Sequence, residues 1–120
     1  MKVLIVEDNP QESLLLAQYL GQALPESEIE TAVSLSSARQ QLAKTFDHDL
    51  VLLKGQLPDG NGLDFISEID AAERPFAIIL YTSAHEPETA VCATKAGADN
   101  YFVLNPDTLI TLPGIMVAAY

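Results

Sequence analysis

Three short apolar runs end in residues able to do chemistry. Val3-Leu4-Ile5-Val6 ends in the acidic pair Glu7-Asp8, Leu50-Val51-Leu52-Leu53 ends in Lys54, and the run 76–81 ends at Thr82. Adjacent carboxylates repel each other and are relieved by a cation, so Lys54 offers the pair a counter-ion if the runs deliver all three to one place. A hydroxyl there would add a polar contact. Lys54 could also serve as a Schiff-base nucleophile, although nearby carboxylates raise a lysine's pKa and hold it protonated. Other reactive types lack partners. Cys92 is the sole cysteine and can form neither an internal disulfide nor a cysteine-paired zinc site; it reads as a small apolar helix residue. His48 and His85 have no His or Cys at ligand spacing and read as loop histidines. Gly60-Asn61-Gly62 is a tight turn rather than a phosphate cradle, since no Gly-Lys-Ser/Thr follows. Asp59 sits in the same exposed turn.

The hydrophobic pattern says what positions these groups. Runs 3–6 and 50–53 are continuous, as in strands buried on both faces. Residues 28–33 alternate as a more exposed strand, and 76–81 and 101–104 read as a fourth and a short fifth. Helical spacing separates them. Asn9-Pro10-Gln11-Glu12 combines a capping residue, proline at the first helical position and a glutamate three residues after the cap. Leu16, Leu20 and Leu24 then share a face, with Gly21 a minor weakness. Ser34 caps a helix whose apolar positions are Leu35, Ala38 and Leu42. After the turn 57–62, Leu63, Ile66 and Ile69 form a stripe, ended before Pro75. Residues 86–96 make a weakly amphipathic helix stopped by Gly97, and a last helix runs from Asp107 to the chain end, interrupted at Pro113-Gly114. This alternation of strand and helix predicts a parallel sheet with helices on both faces. Ligands of such folds bind beyond the carboxyl ends of the strands. Glu7, Asp8, Lys54, Thr82 and Leu104 all fall there.

The 120 residues suffice for one domain with an ordinary core. A net charge of −11, from 17 acidic and 6 basic residues, opposes direct nucleic-acid binding. No apolar run reaches the ~18 residues of a membrane span, and the first is too short for a signal-peptide core. A cytoplasmic location without membrane contact is expected. Residues 1–120 read as one domain, the N-terminal part of a longer parent protein, because the last helical segment carries no stop signal.

Four segments in order resemble the receiver domain of two-component response regulators: Val3-Leu4-Ile5-Val6-Glu7-Asp8-Asn9, Asp49-Leu50-Val51-Leu52-Leu53 with Leu57-Pro58-Asp59-Gly60-Asn61-Gly62, Tyr81-Thr82-Ser83-Ala84, and Ala96-Gly97-Ala98-Asp99-Asn100-Tyr101. The resemblance spans essentially the whole chain. It implies a flavodoxin-like three-layer α/β sandwich with a five-stranded parallel sheet of order 2-1-3-4-5. In that family an aspartate at the end of strand three takes a phosphoryl group from a histidine kinase. Carried over, Glu7 and Asp8 match the acidic pair that helps hold Mg²⁺, and Gln56 matches the residue whose carbonyl assists. Thr82 matches the hydroxyl that contacts phosphoryl oxygens, and Tyr101 the switch aromatic.

Two positions depart from the family. Lys54 stands where the phosphoacceptor aspartate belongs, and Leu104 stands where the family has a lysine. A protonated ammonium neither forms an acyl phosphate nor ligates Mg²⁺, which wants oxygen ligands, and leucine offers no charge to a phosphoryl group. The resemblance therefore implies a pseudo-receiver: a non-enzymatic signalling module of a phosphorelay pathway, independent of phosphorylation, without cofactor, with Glu7, Asp8 and Gln56 as a vestigial metal site. The expected arrangement is Lys54 paired with Asp8, with Glu7 as an optional second partner. The alternatives are a working receiver whose aspartate at position 54 was replaced by design, and a small enzyme using Lys54. Expected partners are proteins, such as a histidine kinase or downstream domains of the same chain. A homodimer through the fourth helix, fifth strand and fifth helix is a further expectation, on a face with Val91, Lys95, Tyr101, Val103, Ile115 and Met116.

Overall fold

The computed structural model describes residues 1–45, 47–71, 74–83 and 87–119. Among them β1 (Lys2–Val6), β2 (Glu28–Ala32) and β3 (Leu50–Lys54) are followed by two-residue strands β4 (Gln56–Leu57) and β5 (Gly60–Asn61), then β6 (Ala77–Thr82) and β7 (Asn100–Val103). The five longer strands form one parallel sheet in the order β2-β1-β3-β6-β7. That is the expected flavodoxin-like arrangement, with β4 and β5 added as a small antiparallel hairpin after β3. The inner strands owe their burial to cover on both faces. Residues 3–6 of β1, 50–53 of β3 and 78–81 of β6 are buried, and all are aliphatic except Tyr81. Edge strand β2 reads Glu-Ile-Glu-Thr-Ala, and only its last residue is buried.

Helices α1 (Pro10–Ala23), α5 (Pro106–Leu109) and α6 (Leu112–Ala119) cover one face of the sheet, and α2 (Leu35–Thr45), α3 (Gly62–Ala71) and α4 (Pro87–Ala96) cover the other. Each face has its own core. Val3, Ile5, Leu52, Ile79 and Tyr81 meet Leu16, Leu20, Leu112 and Met116 on the first. On the second, Leu4, Val6, Leu53 and Leu80 meet Leu35, Ala38, Leu42, Phe65 and Ile66. The last helix departs from expectation. The chain breaks at Ile110-Thr111 rather than at Pro113-Gly114, because a proline in the first turn of α6 sits where no intrahelical N–H bond is required. The break also turns Met116 into the core, so it is no part of an exposed partner face.

Local chemistry sets the loops that carry the site. Asn9 caps α1, its side-chain oxygen accepting from the N–H groups of Gln11 and Glu12 at 2.9 and 3.2 Å. Ser34 caps α2 at Ser37 N–H, and Asp59, reaching over from the β4–β5 turn, accepts from Leu35 and Ser36 N–H at 3.0 and 2.9 Å. The turn aspartate thus ties the hairpin to α2, and those N–H groups hold its carboxyl below its ordinary pKa. Gly97 ends α4 with φ +112°, a conformation that glycine takes without steric cost.

Gly62 begins α3 directly under Lys54. A Cβ there would lie 2.8 Å from the Lys54 carbonyl oxygen and 3.1 Å from a Leu80 methyl. Gly62→Ala is therefore expected to lower stability by about 1–3 kcal/mol through overpacking. Urea unfolding checks this; an unchanged midpoint would show that the backbone below Lys54 has room to give.

Candidate functional site

Register brings the site together. β1 pairs Val6 with Leu53 and β6 pairs Tyr81 with Lys54, so Glu7, just past the end of β1, comes beside Lys54 and Tyr81 near the ends of the two neighbouring strands. The Lys54 ammonium donates to Glu7 Oε2 at 3.0 Å and to Asp8 Oδ1 at 2.9 Å. Glu7 is wholly buried, whereas Asp8 and Lys54 are half-buried. A buried carboxylate is tolerated only when its oxygens are paired or hydrogen-bonded. Glu7 meets this with donors on both: Tyr81 Oη–H to Oε1 at 2.7 Å, and Asn9 N–H to Oε2 at 3.0 Å beside the ammonium. Lys54 thus pairs with both acids.

Electrostatics follow from that geometry. Burial alone would lower the Lys54 pKa, but hydrogen bonds to Asp8 and Glu7 outweigh it and the net shift is upward. The hydrogen bond from Lys54 drives Asp8 below its ordinary value despite partial burial. Lys54 is therefore firmly protonated, which removes the free amine that carbonyl chemistry would need. Burial first, then Glu7, pushes the Tyr81 phenol far up, so it acts as a donor throughout the physiological range.

Thr82 and Tyr101 sit beside this cluster. Their hydroxyl oxygens are 3.0 Å apart, and Tyr101 packs towards the α3–α4 core. Lys54, Gln56 and Thr82 line one cavity of about 350 Å³, with Asn61 and Thr89 at its sides. Gln56 is exposed there. Leu104 takes no part in this polar cavity; it packs on the α1–α6 core, and its N–H donates to the Thr82 carbonyl at 2.7 Å.

The sequence reading missed two participants. Tyr81 reads as an ordinary aromatic strand residue, yet its hydroxyl is one of the donors to Glu7. Its place just before Thr82, after the aliphatic stretch Ala77-Ile78-Ile79-Leu80, was the available signal. Glu12 reads as the reciprocal half of a capping box, but Asn9 N–H donates to Glu7 instead. Glu12 lies near Glu7, and a hydrogen bond that only the protonated Glu12 carboxyl can donate to Glu7 raises the Glu12 pKa, with burial adding to the shift. His48 lies in the loop before β3 and is buried there, with Nε2 at 2.8 Å from Glu30 Oε1. His85 lies outside the described residues. Cys92 is on α4 and exposed.

The sequence model of the response regulator receiver domain matches residues 3–110. This chain belongs to the response-regulator receiver family. It is 31% identical over 103 residues to the transcriptional regulatory protein DpiA of Escherichia coli (strain K12), a match covering 86% of this chain and 45% of that protein. With the transcriptional regulatory protein CusR of the same organism it shares 34% identity over 104 residues, covering 86% and 44%. The chain thus spans less than half the length of these relatives. Among solved structures, the signal receiver domain of a putative Luxo repressor protein from Vibrio parahaemolyticus superposes with a TM-score of 0.84 at 26% identity, covering 98% of this chain and 89% of the other. The signal receiver domain of a DNA-binding response regulator from Colwellia psychrerythraea 34H gives 0.86 at 23% identity, with 98% of each chain covered, and supports the fold alone. Among the described residues no helix is long and apolar enough to cross a membrane.

Proposed function

We propose that this receiver domain signals without aspartyl phosphorylation and acts through protein–protein contacts. One observation carries the reading: the ammonium of Lys54 occupies the gap between Glu7 and Asp8, at 3.0 and 2.9 Å. In this account Lys54 takes the phosphoacceptor position, Glu7 and Asp8 are the remnant of the acidic site, and Lys54 serves as its permanent counter-ion. Mg²⁺ needs oxygen ligands in octahedral geometry, and the carboxylates that would supply them already face a protonated amine. The residues present do not fit the ion. Leu104, half-buried against the α1–α6 core, supports the same reading, because its aliphatic side chain brings no ammonium to the site. Thr82 and Tyr101 retain the paired hydroxyls through which a receiver could still hold one conformation.

DpiA and CusR are named as transcriptional regulators. The output of this chain would then lie in a longer parent protein, with the domain's partners being a kinase or the parent's other domains. Exposed Val91 and Lys95 on α4 give such partners a mixed apolar and basic surface. Calorimetric titration with MgCl₂ tests the site. No saturable binding is expected for this chain, whereas Lys54→Asp, with a third carboxylate and no ammonium, should bind the ion. Submillimolar binding by the unmodified chain would refute the account.

A further inference from the structure

On the α1 side of the sheet a separate cavity of about 260 Å³ opens between α1 and the connection from β7 to α5. Its walls include Leu15, Leu16, Leu104 and Leu109, and its charged lining residues are Glu12 and Lys54. It is smaller than the ~300–1,000 Å³ of pockets for drug-sized ligands, and suits one alkyl chain. Leu15, on its rim, remains 61% exposed, as does Leu14 beside it at 59%, which leaves aliphatic surface open to solvent next to the cavity mouth.

The charges that line it do not balance. Lys54 is engaged by Glu7 and Asp8, and Glu12 makes no ion pair among the described residues. Three carboxylates therefore face one ammonium, and the surplus negative charge belongs to Glu12, the one beside the aliphatic walls. An alkyl carboxylate entering here would be repelled. A neutral alkyl group would bury apolar surface but leave Glu12 without a counter-charge. An ammonium on an alkyl stem satisfies both halves: the stem lies on leucine and the head donates to a carboxylate, the stronger class of hydrogen bond.

We propose that this cavity binds a primary alkylammonium group, either of a free amine or of a lysine side chain presented by a partner, with its stem among Leu15, Leu16, Leu104 and Leu109 and its head on Glu12. The proposal rests on the cavity and its charges, and stands whether or not the domain is phosphorylated.

Methyl NMR titration at neutral pH tests it, using n-pentylamine, pentan-1-ol and pentanoate as probes. The amine is expected to shift the methyl signals of those four leucines, with an affinity roughly tenfold or more above that of the alcohol, the ratio one charge-assisted hydrogen bond provides; pentanoate is expected to leave them unmoved. Glu12→Gln should abolish the preference for the amine while leaving the folded spectrum intact. Leu104→Lys, which carries its own ammonium to the same place, should block the amine. Nα-acetyl-lysine N-methylamide separates the sources: shifts by this probe too support a lysine presented by a partner, and shifts by pentylamine alone support a free amine. Equal affinity for amine and alcohol, or no leucine shift with the amine, would overturn the proposal.

Discussion

Replacing Lys54 by methionine is expected to destabilise the fold by about 3 kcal/mol at neutral pH, the scale on which removal of one partner strands a buried charge. Methionine keeps the length of the stem and removes only the ammonium. Glu7, wholly buried, would then face Asp8 and Glu12 with Tyr81 Oη–H and Asn9 N–H as its remaining donors. The pH dependence is specific. Asp8 has a depressed folded pKa, so its contribution is complete above its unfolded value of ~3.9 and fades as pH falls through the folded one. Lys54 has a raised folded pKa, so its contribution is complete below ~10.4 and fades as pH rises through its folded value. The gap between parent and variant should thus be widest from about pH 4 to 10 and narrow outside that window. Glu12 shifts the other way. Its folded pKa is raised, so it favours the fold at low pH and opposes it as pH rises from ~4.3 through the folded value. Denaturant unfolding at a series of pH values measures all of this. A loss below about 1 kcal/mol, the scale of an exposed pair, would mean that Lys54 is a solvated bystander.

Tyr81→Phe is expected to cost about 2 kcal/mol, since it strips a buried carboxylate oxygen of its hydroxyl donor. The ring and its stack on Phe102, 5.8 Å between centroids, stay in place, so the loss reports the hydroxyl alone. Tyr101→Phe is the matched control. Its hydroxyl meets the uncharged Thr82 at a half-buried position, so removing it should cost less, about 0.5–1 kcal/mol. Equal losses for the two variants would show that Glu7 is satisfied without Tyr81. The comparison needs only thermal or urea unfolding of the three proteins under identical conditions.

The features that could be read from the chain are those set by local pattern. Continuous apolar runs marked β1, β3 and β6, because cover on both faces removes the polar alternation. Asn9-Pro10 marked the start of α1 because capping is a matter of a few adjacent residues. The site's location followed from strand ends, and Glu7, Asp8 and Lys54 meet there. What could not be read depends on register and on contacts across long separations. Whether Tyr81 turns its hydroxyl to Glu7 is decided by which residue of β6 pairs with Lys54. Asp59 looked like a plain turn residue, and only the fold carries it to the first turn of α2. Glu12 fits a capping box by spacing, yet the Asn9 amide had a better acceptor in the buried Glu7. The break between α5 and α6 was misplaced because proline stops a helix only from its interior, not from its first turn.

The most direct measurement is intact mass after incubation with a small phosphodonor such as acetyl phosphate and Mg²⁺, run beside Lys54→Asp. This chain is expected to keep its mass, because an ammonium held between Glu7 and Asp8 leaves neither an acceptor carboxylate nor a place for the metal. Gain of one phosphoryl group by the unmodified chain would contradict the account.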